Sequence, residues 1–162
     1  MQDSPGEYKF IHANDNKRLA IAKELFIEYT ASLDFDLSFQ NFREELSELN
    51  SMYQKPYGGI ILIKEMETGN FIGCAGIRRF ENQIAEIKRM YIKREHRNKG
   101  LGARLLDLAI ELAKELGYKK IRLDTVESMK PAIKIYRSRG FKQIEPYRFN
   151  PNENTFYFEL NC

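Results

Sequence analysis

The segment from Glu86 to Ala103 constrains the fold more than any other part of the chain. Its sequence, EIKRMYIKREHRNKGLGA, is a candidate strand followed by a basic turn and two glycines at the start of a helix. Gly100 and Gly102 allow a tight turn that directs several backbone N–H groups to one point. The positive end of the helix dipole faces the same point. The segment therefore predicts a cradle for a pyrophosphate group between a strand and a helix.

The spacing of apolar residues predicts one mixed domain over 1–162. Turn signals at 67–70 and 81–83 join three strands into an antiparallel meander, and a helix then leads to a parallel strand. The predicted fold is α/β (α+β), with a mixed sheet of six to seven strands and about four flanking helices. The predicted strands are 8–12, 60–64, 71–80, 84–92, 120–125, 141–144 and 155–160. One predicted helix ends at Ser32, and the other three span 38–49, 101–116 and 131–139.

Composition narrows the class of protein. The chain is 43% hydrophobic and 30% charged, and its net charge of +3 suits an anionic small molecule. Acidic residues interrupt the basic ones, so no nucleic-acid partner is expected. No apolar run has the ~18 residues of a membrane span. Cys74 lies in an apolar strand, and Cys162 has no activating neighbour, so we expect a reducing cytoplasm. His12 and His96 lack metal-ligand spacing, and no metal site is predicted.

The glycine turn alone is compatible with several classes of protein. A P-loop needs Lys and then Ser or Thr after its last glycine, but Ala103 follows Gly102 here. A dinucleotide fold needs an acid about 20 residues after its glycines, which Asp124 provides. However, the glycine spacing differs, and the preceding strands form a meander. A plain helix-capping loop with surface arginines is the remaining alternative.

Two motifs together resemble those of the GNAT superfamily of acetyl-CoA-dependent N-acetyltransferases. The family turn Q/R-x-x-G-x-G/A matches Arg97 to Gly102, and its A-x-x-x-Y-x-x-x-G-F motif matches Ala132, Tyr136, Gly140 and Phe141. The resemblance runs in order from Gly58 to Ile144. It implies that acetyl-CoA is the acyl donor and that an amine attacks its thioester directly.

The resemblance also implies where acetyl-CoA binds. The strand that begins at Glu86 would splay from its parallel neighbour and expose backbone groups to pantetheine. The Met90 N–H would polarise the thioester carbonyl, and Ile92, beyond Tyr91, would bond the pantetheine amide. The family often has Asn where this chain has Met129, so no side-chain contact to the donor is predicted there. The pyrophosphate would accept hydrogen bonds from the backbone N–H groups of Arg97, Asn98, Lys99, Gly100, Leu101, Gly102 and Ala103.

Two side chains are candidate catalytic groups. An ammonium titrates near ~10.4, so the attacking amine must lose a proton. Glu86 has the family's spacing to Arg97 and is a candidate base, directly or through water, with a solvent-facing charge as the alternative. Tyr136 is a candidate acid for the departing thiolate, with a core tyrosine as the alternative. A solvated strand edge is expected for the basic run of Lys88, Arg89, Lys93 and Arg94.

The acceptor site is expected between the two N-terminal helices and the loop before the last strand. Arg148 is a candidate to hold a substrate carboxylate by a bidentate pair. A small-molecule amine is the expected partner, with no membrane and with a homodimer left open. The alternative function is a non-catalytic acyl-CoA-binding sensor or interaction module. The candidate lining residues are Phe35, Asp36, Phe39, Tyr147, Arg148 and Asn150.

Overall fold

The computed structural model describes residues 7–33 and 41–162. In these ranges, seven strands and five helices follow one another, with a short 3-10 turn at Arg94–His96. Among the described helices, none is long and apolar enough to cross a bilayer. The elements are β1 Tyr8–His12, α1 Asn16–Ser32, α2 Phe42–Ser47, α3 Leu49–Met52, β2 Gly59–Glu65, β3 Phe71–Glu81, β4 Ile84–Ile92, α4 Leu101–Glu115, β5 Lys120–Val126, α5 Lys130–Ser138, β6 Lys142–Ile144 and β7 Thr155–Asn161.

The strands form one mixed sheet in the order β1-β2-β3-β4-β5-β7-β6. Every neighbouring pair is antiparallel except β4 and β5, which are parallel. The predicted meander and parallel crossover are therefore confirmed. The β4–β5 pairing runs only from Ile84 opposite Lys120 to Glu86 opposite Arg122. Beyond that point the two strands separate, and a cleft opens in the middle of the sheet.

Helices cover both faces of the sheet. Successive side chains of a strand point to opposite faces, and on β2 Ile60 and Leu62 pack in one apolar cluster while Ile61 and Ile63 pack in another. The first cluster contains α1 and α3 residues such as Phe26. The second contains the buried stripes of α4 and α5. The two cores hold β4 and β5 in place from above and below.

Local sequence explains where the helices begin. Asp15 caps α1, because its carboxylate accepts the Arg18 N–H at 2.8 Å. The prediction of one helix over 38–49 is wrong in its described part. Asn41 has a φ of 56°, in the left-handed region that ends helical geometry, and Glu48 separates α2 from α3. Residues 38–40 lie outside the described residues.

Candidate active site

Strand β4 contains a bulge at the point where it faces the cleft. Cys74 pairs with Tyr91 and Gly76 pairs with Lys88, so Arg89 and Met90 together lie opposite a single residue of β3. Arg89 has a φ of 58°, which is uncommon for a residue with a side chain. A bulge leaves its extra residue outside the ladder and redirects the strand. Met90 therefore reaches the cleft without a pairing partner in the register of β3 or β5.

A buried ion pair holds the bulge. Arg89 donates to the Glu45 carboxylate of α2, with Nη2–Oε1 at 2.7 Å and Nε–Oε2 at 3.1 Å. The Tyr53 hydroxyl also donates to Glu45 Oε2, at 2.9 Å. Burial alone would raise the pKa of Glu45. The hydrogen bond and the charge of Arg89 outweigh this effect, and the pKa of Glu45 is lowered. The paired charges offset the backbone strain at Arg89.

The glycine turn after β4 presents unbonded N–H groups. The first backbone hydrogen bond into α4 runs from the Arg104 N–H to the Gly100 carbonyl, at 3.3 Å. The N–H groups from Asn98 to Ala103 accordingly have no backbone acceptor among the described residues. Asn98 and Gly100 have φ values of 63° and 78°, and these left-handed residues bend the chain into a concave nest.

The start of α4 is loosely packed at Gly102. A methyl group at Gly102 would meet only the side chains of Ile92 and Ile135, both at 3.7 Å, so the fold itself does not require glycine there. The motif Q/R-x-x-G-x-G/A likewise accepts alanine at this position. The Arg97 side chain lies back on β4, where its Nε donates to the Ile92 carbonyl at 2.8 Å. That oxygen keeps a second lone pair for another donor.

The turn is also tied to the first strand. The Tyr8 hydroxyl lies 2.7 Å from His96 Nδ1, and Lys99 Nζ donates to the same hydroxyl at 3.3 Å. The Tyr8 ring is buried. These contacts fix the turn relative to the sheet before any ligand arrives.

Glu86 is fully buried, so the alternative of a solvent-facing charge is wrong. Its Oε1 lies 3.3 Å from Arg78 Nη2, and its Oε2 accepts from Arg148 and from the Tyr147 hydroxyl, the latter at 3.1 Å. Burial alone would raise the pKa of Glu86. The charges of Lys88, Arg148 and Arg78 outweigh this effect and lower the pKa of Glu86 to about 2. A carboxylate held in this way is a weak proton acceptor. Its role as a base stays a prediction.

The structure treats the remaining acceptor candidates differently. Tyr147 and Arg148 both donate to Glu86, and the Arg148 guanidinium also lies 5.2 Å from the Tyr147 ring centroid. The Asn150 side chain stabilises its own loop, because its Oδ1 accepts a hydrogen bond from the Asn152 N–H at 2.8 Å. Phe35, Asp36 and Phe39 lie outside the described residues.

The space between the splayed strands is a cavity of about 80 Å³. Met90 lines it from β4 and Tyr136 lines it from α5. The Tyr136 ring packs against Phe141 and Phe158, with centroids 6.0 and 6.1 Å away, so this side chain belongs to the core and to the cavity wall. Burial raises the pKa of Tyr136, and the charges of Tyr29 and Asp124 act in the same direction. The phenol therefore stays protonated, as a hydrogen-bond donor must be.

Several polar residues of the cavity were not expected from the sequence. Lys88 and Arg89 are buried, so the prediction of a solvated strand edge is wrong for both. Burial lowers the pKa of Lys88 to about 8, although the charge of Glu86 opposes the shift. Asp124 also lines the cavity, from the end of β5. The only available signal was its place at the end of a strand that runs parallel to β4.

A nest of backbone N–H groups, a bulged strand and a buried tyrosine lie around a split in a mixed sheet, an arrangement compatible with an acyl-transfer enzyme. The model of the acetyltransferase (GNAT) family matches residues 21–141. The chain thus belongs to that family and is an acetyl-CoA-dependent acyltransferase, as the two motifs predicted. An uncharacterized N-acetyltransferase of Schizosaccharomyces pombe is 37% identical over 139 residues, which are 85% of each chain.

Solved structures show the same fold. A GNAT acetyltransferase from Staphylococcus aureus superposes with a TM-score of 0.75 at 24% identity, over 95% of this chain and 98% of its own. The acetyltransferase YncA from Salmonella typhimurium, solved with acetyl-CoA, gives a TM-score of 0.67 at 17% identity, over 95% and 93%. The fold of this chain is thus shared with these solved structures.

Proposed function

We propose that this protein transfers the acetyl group of acetyl-CoA to a primary amine of a small molecule, by direct attack of the amine. The observation that carries the proposal is the cavity between β4 and β5. Met90 of β4, Asp124 of β5 and Tyr136 of α5 line it together. The turn whose N–H groups have no backbone acceptor follows β4 in the chain.

The residues of the chain fit acetyl-CoA. The N–H groups from Asn98 to Ala103 would hold its pyrophosphate, and Met90 and Ile92 would hold its pantetheine arm. When bound, acetyl-CoA supplies an acyl group activated as a thioester. The Met90 N–H would donate to an oxygen that gains negative charge. Tyr136 would donate its hydroxyl proton to the departing sulfur.

The contacts of Glu86 support a positioning role rather than direct proton transfer. Its carboxylate accepts from Arg78 of β3 and from Tyr147 and Arg148 of the loop before β7, two distant parts of the chain. It thereby fixes the wall of the acceptor site. Arg148 remains the proposed partner of a substrate carboxylate, by its exposed edge, because 17% of its side chain is accessible. Amino acids therefore head the series of acceptors to test.

The test is thiol release from acetyl-CoA in the presence of an amine panel. The panel contains the proteinogenic L-amino acids, spermidine and tyramine. We expect turnover with at least one amine, and Tyr136→Phe should lower kcat by about 100-fold while acetyl-CoA affinity stays near that of the wild type. Tyr118→Phe is the control, because it removes a buried hydroxyl that bonds the Tyr57 carbonyl outside the cavity.

Each outcome decides between the two functions. Acetyl-CoA binding without turnover of any amine contradicts the transferase proposal and indicates the non-catalytic sensor. Unchanged turnover in Tyr136→Phe removes Tyr136 from the donor role. A cytoplasmic location is part of the same proposal and is supported by two free cysteines, one buried and one exposed. The homodimer stays a prediction.

A further inference from the structure

Asp124 is distinguished from the other charged groups of the cavity by an oxygen without a hydrogen bond. Among the described residues, its Oδ2 is the one buried side-chain oxygen or nitrogen that has no hydrogen-bond partner. Arg148 Nη1 lies 3.9 Å from this oxygen, which is beyond hydrogen-bond distance. A buried carboxylate oxygen without a donor is costly, so a fold retains one where a ligand supplies the donor.

The contrast with Glu86 shows which carboxylate is available. Both oxygens of Glu86 already accept from protein donors. Asp124 stands one strand away on β5, where it pairs in register with Tyr157 and lines the cavity with Tyr136 and Met90. A donor that enters the cavity therefore meets a free carboxylate oxygen at Asp124, whereas the occupied Glu86 is not part of the cavity lining.

The groups that face Asp124 come from every side of the cavity. Lys88 faces it from β4, and Arg148 faces it from the loop before β7. The phenols of Tyr29 and Tyr136 face it from α1 and α5. None of these groups supplies a hydrogen bond to Oδ2. The missing donor is thus a group that the protein does not provide.

We propose that Asp124 is a catalytic residue that binds the ammonium group of the acceptor and takes its proton during acetyl transfer. This inference rests on the proposed function, since it names the residue that handles the amine. An ammonium has three N–H donors and a positive charge, so it satisfies Oδ2 and adds a charge-assisted hydrogen bond.

The proton balance of the step is complete with Asp124 and Tyr136. The bound ammonium first gives one proton to solvent water. The amine nitrogen then forms a bond to the thioester carbonyl carbon and passes its second proton to Asp124. The carbon–sulfur bond breaks with its electron pair on sulfur, which takes a proton from Tyr136. Asp124 afterwards gives its proton to water and Tyr136 regains one, so one proton is released for each amide formed.

The experiment compares Asp124→Asn with the wild type on the same amine panel. We expect kcat/KM for the amine to fall at least about 100-fold, while calorimetry shows unchanged acetyl-CoA affinity. Calorimetry of each amine with the enzyme saturated with CoA should show binding to the wild type and loss of binding in the variant. Asp124→Glu should recover part of the rate, because it restores a carboxylate. Asp107→Asn is the matched control, since Asp107 pairs with Arg139 on the surface of α4.

The outcomes separate this inference from the proposed function. Equal rates in the wild type and Asp124→Asn overturn the role of Asp124 and leave the transferase intact. An inactive wild type whose amine binding requires Asp124 supports the ammonium site and overturns the transferase. A wild type that neither binds nor acetylates any amine overturns both. If Asp124→Asn binds no coenzyme, Asp124→Ser takes its place and is judged by the same results.

Discussion

Two buried carboxylates, Glu45 and Glu86, hold three arginines around the cleft. Glu45 pairs with Arg89 at 2.7 Å and lies 3.7 Å from Arg78, which also contacts Glu86. Arg148 completes the set through Glu86. Charges at these depths are stable only when they are paired, so each carboxylate is needed by the arginines that it binds.

Replacement of Glu45 should therefore strongly destabilise the protein. Glu45→Gln leaves the buried guanidinium of Arg89 without its counter-charge, and we expect a loss of about 3 kcal/mol in the free energy of unfolding. Urea denaturation measures it. Glu44→Gln, one residue earlier on the exposed side of α2, is the control and should change stability by less than about 0.5 kcal/mol. Equal effects of the two substitutions would contradict the structural role of Glu45.

The sequence identified Glu86 and Tyr136 as candidates but could not indicate how Glu86 is paired. Glu45 and Arg78 meet Glu86 and Arg89 only through the tertiary fold, and no local pattern signals such contacts. Lys88 and Arg89 were predicted to be solvated because charged residues are usually exposed. Paired buried charges are the exception to that rule.

At the scale of elements, the turn between β4 and α4 was predictable because its signal is local. Glycines at fixed spacing and a helix with one apolar stripe specify it without knowledge of the rest of the chain. The meander and the parallel crossover were predictable for the same reason. The bulge was not, because it depends on the pairing of β3 with β4 and on Glu45 of α2.

Gly100 provides a test of the turn. Its φ of 78° lies in the left-handed region, so Gly100→Ala strains the turn and should cost about 1 kcal/mol of stability. The altered backbone should also misdirect the N–H groups of the nest and weaken acetyl-CoA binding by about tenfold or more. Calorimetry and thermal unfolding measure the two effects.

Gly69 is the matched control for that substitution. It lies in the turn between β2 and β3 with the same φ of 78° and with open space around it. Gly69→Ala should cost about 1 kcal/mol of stability through its left-handed backbone and leave acetyl-CoA affinity unchanged. If Gly100→Ala binds acetyl-CoA as well as Gly69→Ala does, the pyrophosphate does not approach the turn as proposed.

The whole molecule carries its buried charges in the middle of the sheet, between two apolar cores. Its stability should therefore depend on the ionisation of these charges. The folded pKa of Glu86 is about 2, against ~4.3 in an unfolded chain. A depressed carboxyl pKa contributes stability that is present above the unfolded pKa and is lost as the pH falls towards the folded pKa.

A fall in pH should accordingly lower the free energy of unfolding of the wild type more than that of a variant without the Glu86 carboxylate. We expect the free energy of unfolding to fall as the pH drops from about 5 to about 2, with a contribution from Glu86 on the order of 3 kcal/mol. Glu86→Gln should be less stable at neutral pH, and its deficit should shrink over the same range. Urea denaturation at several pH values measures both. A deficit that is constant with pH would show that Glu86 is not ionised in the fold.

The split between β4 and β5 also divides the chain by task. Groups assigned to the acyl donor come from the stretch 90–103, whereas Asp124, Tyr136 and Arg148, assigned to the amine and the leaving sulfur, come from the stretch 124–148. Strands β4 and β5 share only three rungs of a ladder, and all three lie before these two stretches begin. Changes of acceptor preference can therefore accumulate in one half of the polypeptide while coenzyme recognition persists unaltered in the other.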